Sequence, residues 1–381
     1  MDRFESLTGM WHTDSARERS DILTGSNSII TRLADLASRR NASDIHLRPR
    51  GYAYIRIDGS LKRVDNLPKF KASQLEELVF SMLTDDQLNA LKSSGEIDFA
   101  INTSSGHRLR ANGFYELGHI ALALRLIKSQ IPSLAELGLP PVVEQFAHLN
   151  QGLVILTGGT GSGKSTTIAA LLEVVNNCYE KHIITIEDPV EYIFTPKQCI
   201  ISQRELGIDL SSFAHATRSA LREDPDVILL GEMRDAESIE TALAAAETGH
   251  LVFSTVHAPS TAEIITRICA EMPAQSQANV RAKLSQNLQG IVAQRLIPRA
   301  SGDGRVLACE IVKTSARIRD LILDPVGIDG INEIIRNSNI VSGIQSFDQH
   351  LIELYRSGAI SKDNAIKYAS FPVDMRLTLG V

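Results

Sequence analysis

Residues 152–175 read GLVILTGGTGSGKSTTIAALLEVV, and no other stretch of the chain narrows its fold so far. A short apolar run ends in a loop with four glycines in six residues, and a helix-forming segment follows. Between a strand and a helix, such a loop suits one task. Its glycines let the backbone turn its N–H groups inward around an anion, and the helix N-terminus adds partial positive charge. The spacing Gly158-x-x-x-x-Gly163-Lys164-Ser165 is that of a P-loop in its required context. The stretch Gly158, Gly159, Thr160, Gly161, Ser162, Gly163, Lys164, Ser165 and Thr166 is therefore expected to bind a nucleoside triphosphate with Mg²⁺. Lys164 would reach the β- and γ-phosphates and Ser165 would hold the metal.

The segments around the loop set the fold class. After Gly152, the apolar runs HIITIE, DVILLG and HLVFSTV alternate with the helical segments SSFAHATRSALRED and DAESIETALAAAETG. Strands alternating with helices predict an α/β domain whose parallel sheet is covered on both faces. Beyond Ala270 the chain reads as helical, with one strand-like piece, RVLACEIV. Upstream the grammar differs. NSIITRLADLASRR has helical spacing. SDIHLRP and YAYIRIDGSLKRV alternate like strands, with a hairpin turn at Asp58-Gly59. One or two helices (KASQLEELVFSMLTDDQLNALKSSG) and three strands (IDFAI, HRLRANGFYE, IALALRLI) complete a small α+β domain. The expected organisation is a mobile extension over 1–26, an α+β domain over 27–128, a Pro-rich linker over 129–148 and the nucleotide domain over 149–381.

Composition narrows the function classes. A formal net charge of −6, 5% aromatic residues and no basic stripe speak against a nucleic-acid partner. Cys178, Cys199, Cys269 and Cys309 lie far apart, which fits reduced cytosolic thiols rather than a zinc knuckle. Apolar runs such as Val227–Leu230 fall well short of the roughly 18 residues of a membrane helix. The first twenty residues contain acids and no apolar core, unlike a signal peptide.

Candidate catalytic groups cluster at strand ends. In DPDVILLGE, Glu232 follows the apolar run and is the candidate for polarising water, while Asp226 opens the strand and reads as a turn or structural acid. In TIEDPVE, the carboxylates Glu187, Asp188 and Glu191 stand where parallel sheets place ligands, and could bind Mg²⁺, orient the nucleophile or form a solvated loop. His257 ends the run HLVFSTVH and could sense the γ-phosphate by a hydrogen bond, whereas His250 stands at the run's start. Arg108, Arg110 and Arg125 lie on strands of the small domain. They could be surface arginines or could neutralise transition-state charge.

Together, TGGTGSGKSTT, ITIEDPVEY, QRELGID, ALREDPDVILLGEMRDAESIETALAAAETGHLVFSTVHA and GIQSFDQ resemble the PilT-type pilus retraction ATPases, part of the wider superfamily of secretion and pilus traffic ATPases. The resemblance runs from about Ile29 to Ile360 and includes SDIHL, RIDGSLKRV, SGEIDFAI and RLRANGF. It implies a PAS-like N-terminal domain and a RecA-like C-terminal domain with a helical extension. It implies a cytoplasmic homohexamer that binds ATP and Mg²⁺ between the two domains. Such a ring works beside the inner membrane at the pilus base, on a platform protein and with paralogous pilus ATPases as further partners. Carried over, TIEDPVE is the Asp box, DVILLGE the Walker B segment with Glu232 as catalytic carboxylate, and GHLVFSTVH the His box. The family's nucleotide-reaching arginines align with Arg108, Arg110 and Arg125. Two departures stand out: ARIRDLILD (Ala316 to Asp324) replaces the family's AIRNLIRE, and the extension before Ser28 is longer. The four-cysteine zinc module of assembly and type II secretion ATPases is missing. A related secretion or conjugation ATPase is the alternative. A RecA-like nucleic-acid translocase and a non-hydrolysing partner subunit are the other readings.

Overall fold

The computed structural model describes residues 29–380 except 58, 66, 128, 129, 211 and 339. The extension expected over 1–26, and Asp58 of the expected hairpin turn, lie outside the described residues. Two compact units divide the chain, Met1–Ser129 and Gln130–Val381.

In the first unit, helix α1 (Ile29–Arg39) buries Ile29, Ile30, Leu33, Leu36 and Ala37, the stripe that a 3.6-residue repeat requires. Six strands form its sheet: β1 (Asp44–Leu47), β2 (Ala53–Ile57), β3 (Ser60–Arg63), β4 (Glu96–Asn102), β5 (Arg108–Glu116) and β6 (His119–Leu126). The order is β3-β2-β1-β6-β5-β4, and every neighbouring pair is antiparallel. Period-two alternation sends Ile45, Ile55, Leu124 and Ala111 to one face, into a core shared with α1 and α2 (Ala72–Phe80). The same alternation puts Asp44, Arg56, Arg125 and Arg110 in a row on the other face. Thr84 separates α2 from α3 (Asp85–Ser94). Its Oγ1 accepts from Gln87 N while Gln87 Oε1 accepts from Thr84 N, and Gly95 at φ 87° ends the helix.

The second unit opens with residues expected to act as a linker, and these pack into its core. Leu134, Leu139, Val142, Val143 and Phe146 are buried there, the last on a 3₁₀ helix over Glu144–His148. Its strands are β7 (Gly152–Thr157), β8 (His182–Glu187), β9 (Ile200–Glu205), β10 (Val227–Leu230), β11 (Leu251–Val256), β12 (Leu288–Pro298), β13 (Arg305–Lys313) and β14 (Ile344–Gln345). The sheet order is β14-β13-β12-β7-β11-β10-β8-β9. All pairs from β12 to β9 are parallel. Successive β7 residues serve opposite faces: Leu153 and Ile155 enter one core, Val154 and Leu156 the other. This double coverage explains the uninterrupted apolar runs. The helices are α4 (Lys164–Cys178), α5 (Phe213–Ala220), α6 (Ala236–Glu247), α7 (Thr261–Ala270), α8 (Gln277–Asn287), α9 (Ala316–Leu323), α10 (Ile328–Asn337), α11 (Phe347–Arg356), α12 (Lys362–Tyr368) and α13 (Pro372–Thr378).

The sheet departs from the all-parallel expectation at one side. The run after Ala270, expected to be helical apart from RVLACEIV, also contains the eleven-residue β12. A short turn then returns β13 antiparallel to it, as a hairpin must. β12 is hard to read locally because Gln294 breaks its apolar run. Gln294 is nevertheless 1% exposed, and its Nε2 donates to Thr167 Oγ1 of α4 at 2.7 Å. Gly290 of β12 lies against Phe146, and a Cβ there would stand 2.2 Å from the ring.

Candidate active site

The P-loop follows β7 and is shaped by its glycines. Gly158, Gly161 and Gly163 have φ of 141°, 72° and 96°, a region that side chains disfavour. A Cβ on Gly158 would also lie 2.4 Å from Gln294 O, so β12 closes on the loop from behind. Lys164 and Ser165 open α4, whose first-turn N–H groups have no helical acceptor. Lys164 Nζ donates to the carbonyls of Gly158 and Gly159 at 2.9 and 3.1 Å. Burial lowers the Lys164 pKa, while Glu232 and Glu191 oppose that shift.

Four parallel strands deliver side chains to the same end of the sheet. Thr157 pairs with Val256, Ser254 with Leu230, and Leu230 with Ile186, so β7, β11, β10 and β8 end almost level. The P-loop from Thr160 to Thr166, Glu187, Asp188, Glu191, Glu232 and His257 consequently line one cavity of about 800 Å³. Two ties hold the loops in place. Thr157 Oγ1 donates to Ala258 O and accepts from Ala258 N, beside His257. Thr255 Oγ1 donates to Gly231 O at 2.7 Å, beside Glu232.

Glu232 has a basic neighbour at each oxygen. Arg234 Nε donates to Oε2 at 2.6 Å, and His257 Nε2 lies 3.3 Å from Oε1. Glu187 differs: it is 8% exposed, and its Oε1 has no hydrogen-bond partner. Burial pushes its pKa up to about 7. A buried acceptor without a donor, on a residue that lines the cavity of the phosphate cradle, fits a site that a hard cation completes. Among the described residues no three His, Cys, Asp or Glu side chains form a metal cage of their own. Ser165, Glu187, Asp188 and Glu232 are thus not a protein-only cage. That arrangement suits Mg²⁺, which takes one or two carboxylates and fills its shell with phosphate and water.

Other candidates stand elsewhere. Asp226 is at the opposite end of β10, where its Oδ2 accepts from His182 N at 2.8 Å. His250 Nδ1 lies 2.9 Å from Ala245 O, at the start of β11. In the first unit, Arg125 Nε donates to Asp44 Oδ1 at 2.9 Å, and Arg110 Nη2 lies 3.7 Å from Asp98 Oδ2. Arg108 Nε is buried without a hydrogen-bond partner. Sequence reasoning missed Arg234. Its only local signal was a basic residue two positions after the candidate base, a spacing that says nothing about which way the side chain turns.

The profile of the Type II/IV secretion system protein family matches residues 24–370. The chain is 40% identical over 343 residues to the type IV pilus retractation ATPase PilT of Pseudomonas aeruginosa, covering 90% of this chain and 98% of that protein. It is 41% identical over 315 residues to a twitching motility protein of Neisseria gonorrhoeae, covering 83% of each. The crystal structure of the pilus retraction motor PilT with bound ADP superposes with a TM-score of 0.82 at 42% identity, over 90% of this chain and 97% of that one.

Proposed function

This chain belongs to the Type II/IV secretion system protein family, and from that premise we propose that it is the ATP-hydrolysing motor of type IV pilus retraction and twitching motility. The observation that carries the proposal is the meeting of the P-loop, Glu187, Glu232 and His257 in one cavity at the carboxyl edge of a RecA-like sheet. The roles follow from the chemistry. Backbone N–H groups of the P-loop bind the phosphates, and Lys164 exchanges its two loop carbonyls for phosphate oxygens. Ser165, with Glu187, Asp188 or Glu232, would hold Mg²⁺, which supplies charge neutralisation at the phosphates. Glu232 orients and deprotonates the attacking water. His257, one bond network away, reports the loss of the γ-phosphate to β11. Arg108, Arg110 and Arg125 are the set from which the arginine that neutralises the transferring phosphoryl group is drawn.

The assembly is proposed to be a homohexamer in the cytoplasm. It would act on an inner-membrane platform protein at the pilus base, alongside paralogous pilus ATPases. No helix among the described residues is long and apolar enough to cross a membrane, so contact with the bilayer would run through that platform. The test is steady-state ATPase activity across a size-exclusion peak, beside Lys164→Ala. Activity should coincide with a hexamer-sized fraction and vanish in the variant. A deletion strain should keep its pili and lose twitching; unchanged twitching with failed secretion would move the motor to a secretion machine.

A further inference from the structure

A second cavity, of about 280 Å³, lies behind the catalytic carboxylate. Glu232, Arg234 and His257 line both cavities and so form the partition between them. Beyond the partition, the second cavity has an apolar floor that includes Val256 and Ile268 and a charged rim of Arg267 and Glu271, both from α7 and its end. Its arginines keep donors in reserve. Arg234 uses only Nε on Glu232, and its two Nη groups make no hydrogen bond among the described residues. Arg267 Nη2 lies 3.8 Å from Glu271 Oε1, beyond hydrogen-bond distance. Two guanidinium groups and an imidazole thus face two carboxylates, with spare N–H donors suited to a small tetrahedral oxyanion.

We propose that this second cavity is the exit route for the inorganic phosphate cleaved from ATP, with Arg234 and Arg267 receiving it as the Glu232–Arg234–His257 partition parts. The inference rests on the ATPase reading above. In-line attack by a water held at Glu232 leaves the free phosphate between that residue and the P-loop, with ADP behind it. The phosphate oxygens then compete with Glu232 for Arg234. That exchange breaks the ion pair that closes the partition. Arg267 offers the next charge-assisted bonds toward solvent, and Glu271 beside it contributes no donor to the anion.

The experiment follows one turnover of the full-length protein with three readouts: ATP cleavage by quenched flow, free phosphate by a fluorescent phosphate-binding reporter, and ADP dissociation from its preformed complex. Arg267 and Glu271 side chains are 54% and 39% exposed, so their substitution spares the core. Arg267→Gln should cleave ATP at the wild-type rate, release ADP normally and release phosphate about tenfold more slowly. Arg267→Lys should release phosphate at nearly the wild-type rate, because it keeps the charge. Glu271→Gln should not slow release. Phosphate release in Arg267→Gln that keeps pace with wild type would overturn the exit route alone. A wild-type protein that cannot cleave ATP would overturn the motor function, and the inference with it.

Discussion

Glu232 is 18% exposed and bonded to Arg234, a geometry that decides what its substitution does. Arg234 orients the carboxylate through a hydrogen bond to Oε2, and His257 Nε2 lies 3.3 Å from Oε1. Glu232→Gln preserves volume and an acceptor for Arg234 but removes the basic lone pair that water needs. It should bind a fluorescent ATP analogue with nearly wild-type affinity and lose about a hundredfold or more in turnover. Binding titration beside steady-state hydrolysis separates the two effects. Turnover that survives the change would assign the water to Glu187, the buried carboxylate that lines the same cavity.

At the scale of elements, the β12–β13 hairpin is held by α11, α12 and α13 through a further core that includes Ala293, Ile297, Phe347 and Leu351. A polar contact ties the same elements: Cys309 N of β13 donates to His350 Nδ1 of α11 at 3.0 Å. His350 is 4% exposed, and burial pulls its pKa down to about 4. A depressed pKa means that the folded state favours the neutral ring. Its contribution is complete above the unfolded value near 6.5 and is lost as pH falls through about 4, by about 3 kcal/mol. Asn carries its Oδ1 roughly where His carries Nδ1 and has no proton to gain. His350→Asn should therefore flatten the dependence of Tm on pH between about 6.5 and 4, although a small cavity lowers Tm at neutral pH. An acid limb as steep as wild type in a thermal melt series would remove His350 as its origin.

At the scale of the whole molecule, the first unit sets Arg110 and Arg125 directly opposite each other on β5 and β6. Like charges in register destabilise a sheet, and here Asp44 and Asp98 offset the strain only from the flanks. A fold that keeps two facing arginines on an open sheet row is suited to an anion. If they serve a neighbouring protomer's nucleotide, Arg110→Ala and Lys164→Ala proteins should each be nearly inactive. Mixed rings of the two should then regain a measurable fraction of wild-type turnover. No recovery after subunit exchange, checked by native mass spectrometry, would place the arginines in service of their own chain.

The features that short stretches determined by themselves are those whose chemistry is local. A glycine-rich turn must adopt positive φ to present its N–H groups, an N-cap needs partners only three residues away, and a strand covered on both faces must be apolar throughout. The cradle, α1 and the strands β7, β8, β10 and β11 were legible for that reason, whereas the division of the next helical stretch into α2 and the capped α3 was left open. Tertiary structure alone decided the rest. Phe146 packs under Gly290 across 144 residues, so a Pro-rich segment that looks like a linker becomes core. β12 becomes a central strand because β7 offers it a parallel edge and Thr157 to Gly158 need its backing, despite a buried glutamine. Arg234 turns onto Glu232, and α7 brings Arg267 behind it, only once α6 and α7 are docked on the sheet. Such contacts depend on which elements become neighbours, and neighbourhood is set by the burial of whole faces rather than by the residues that touch.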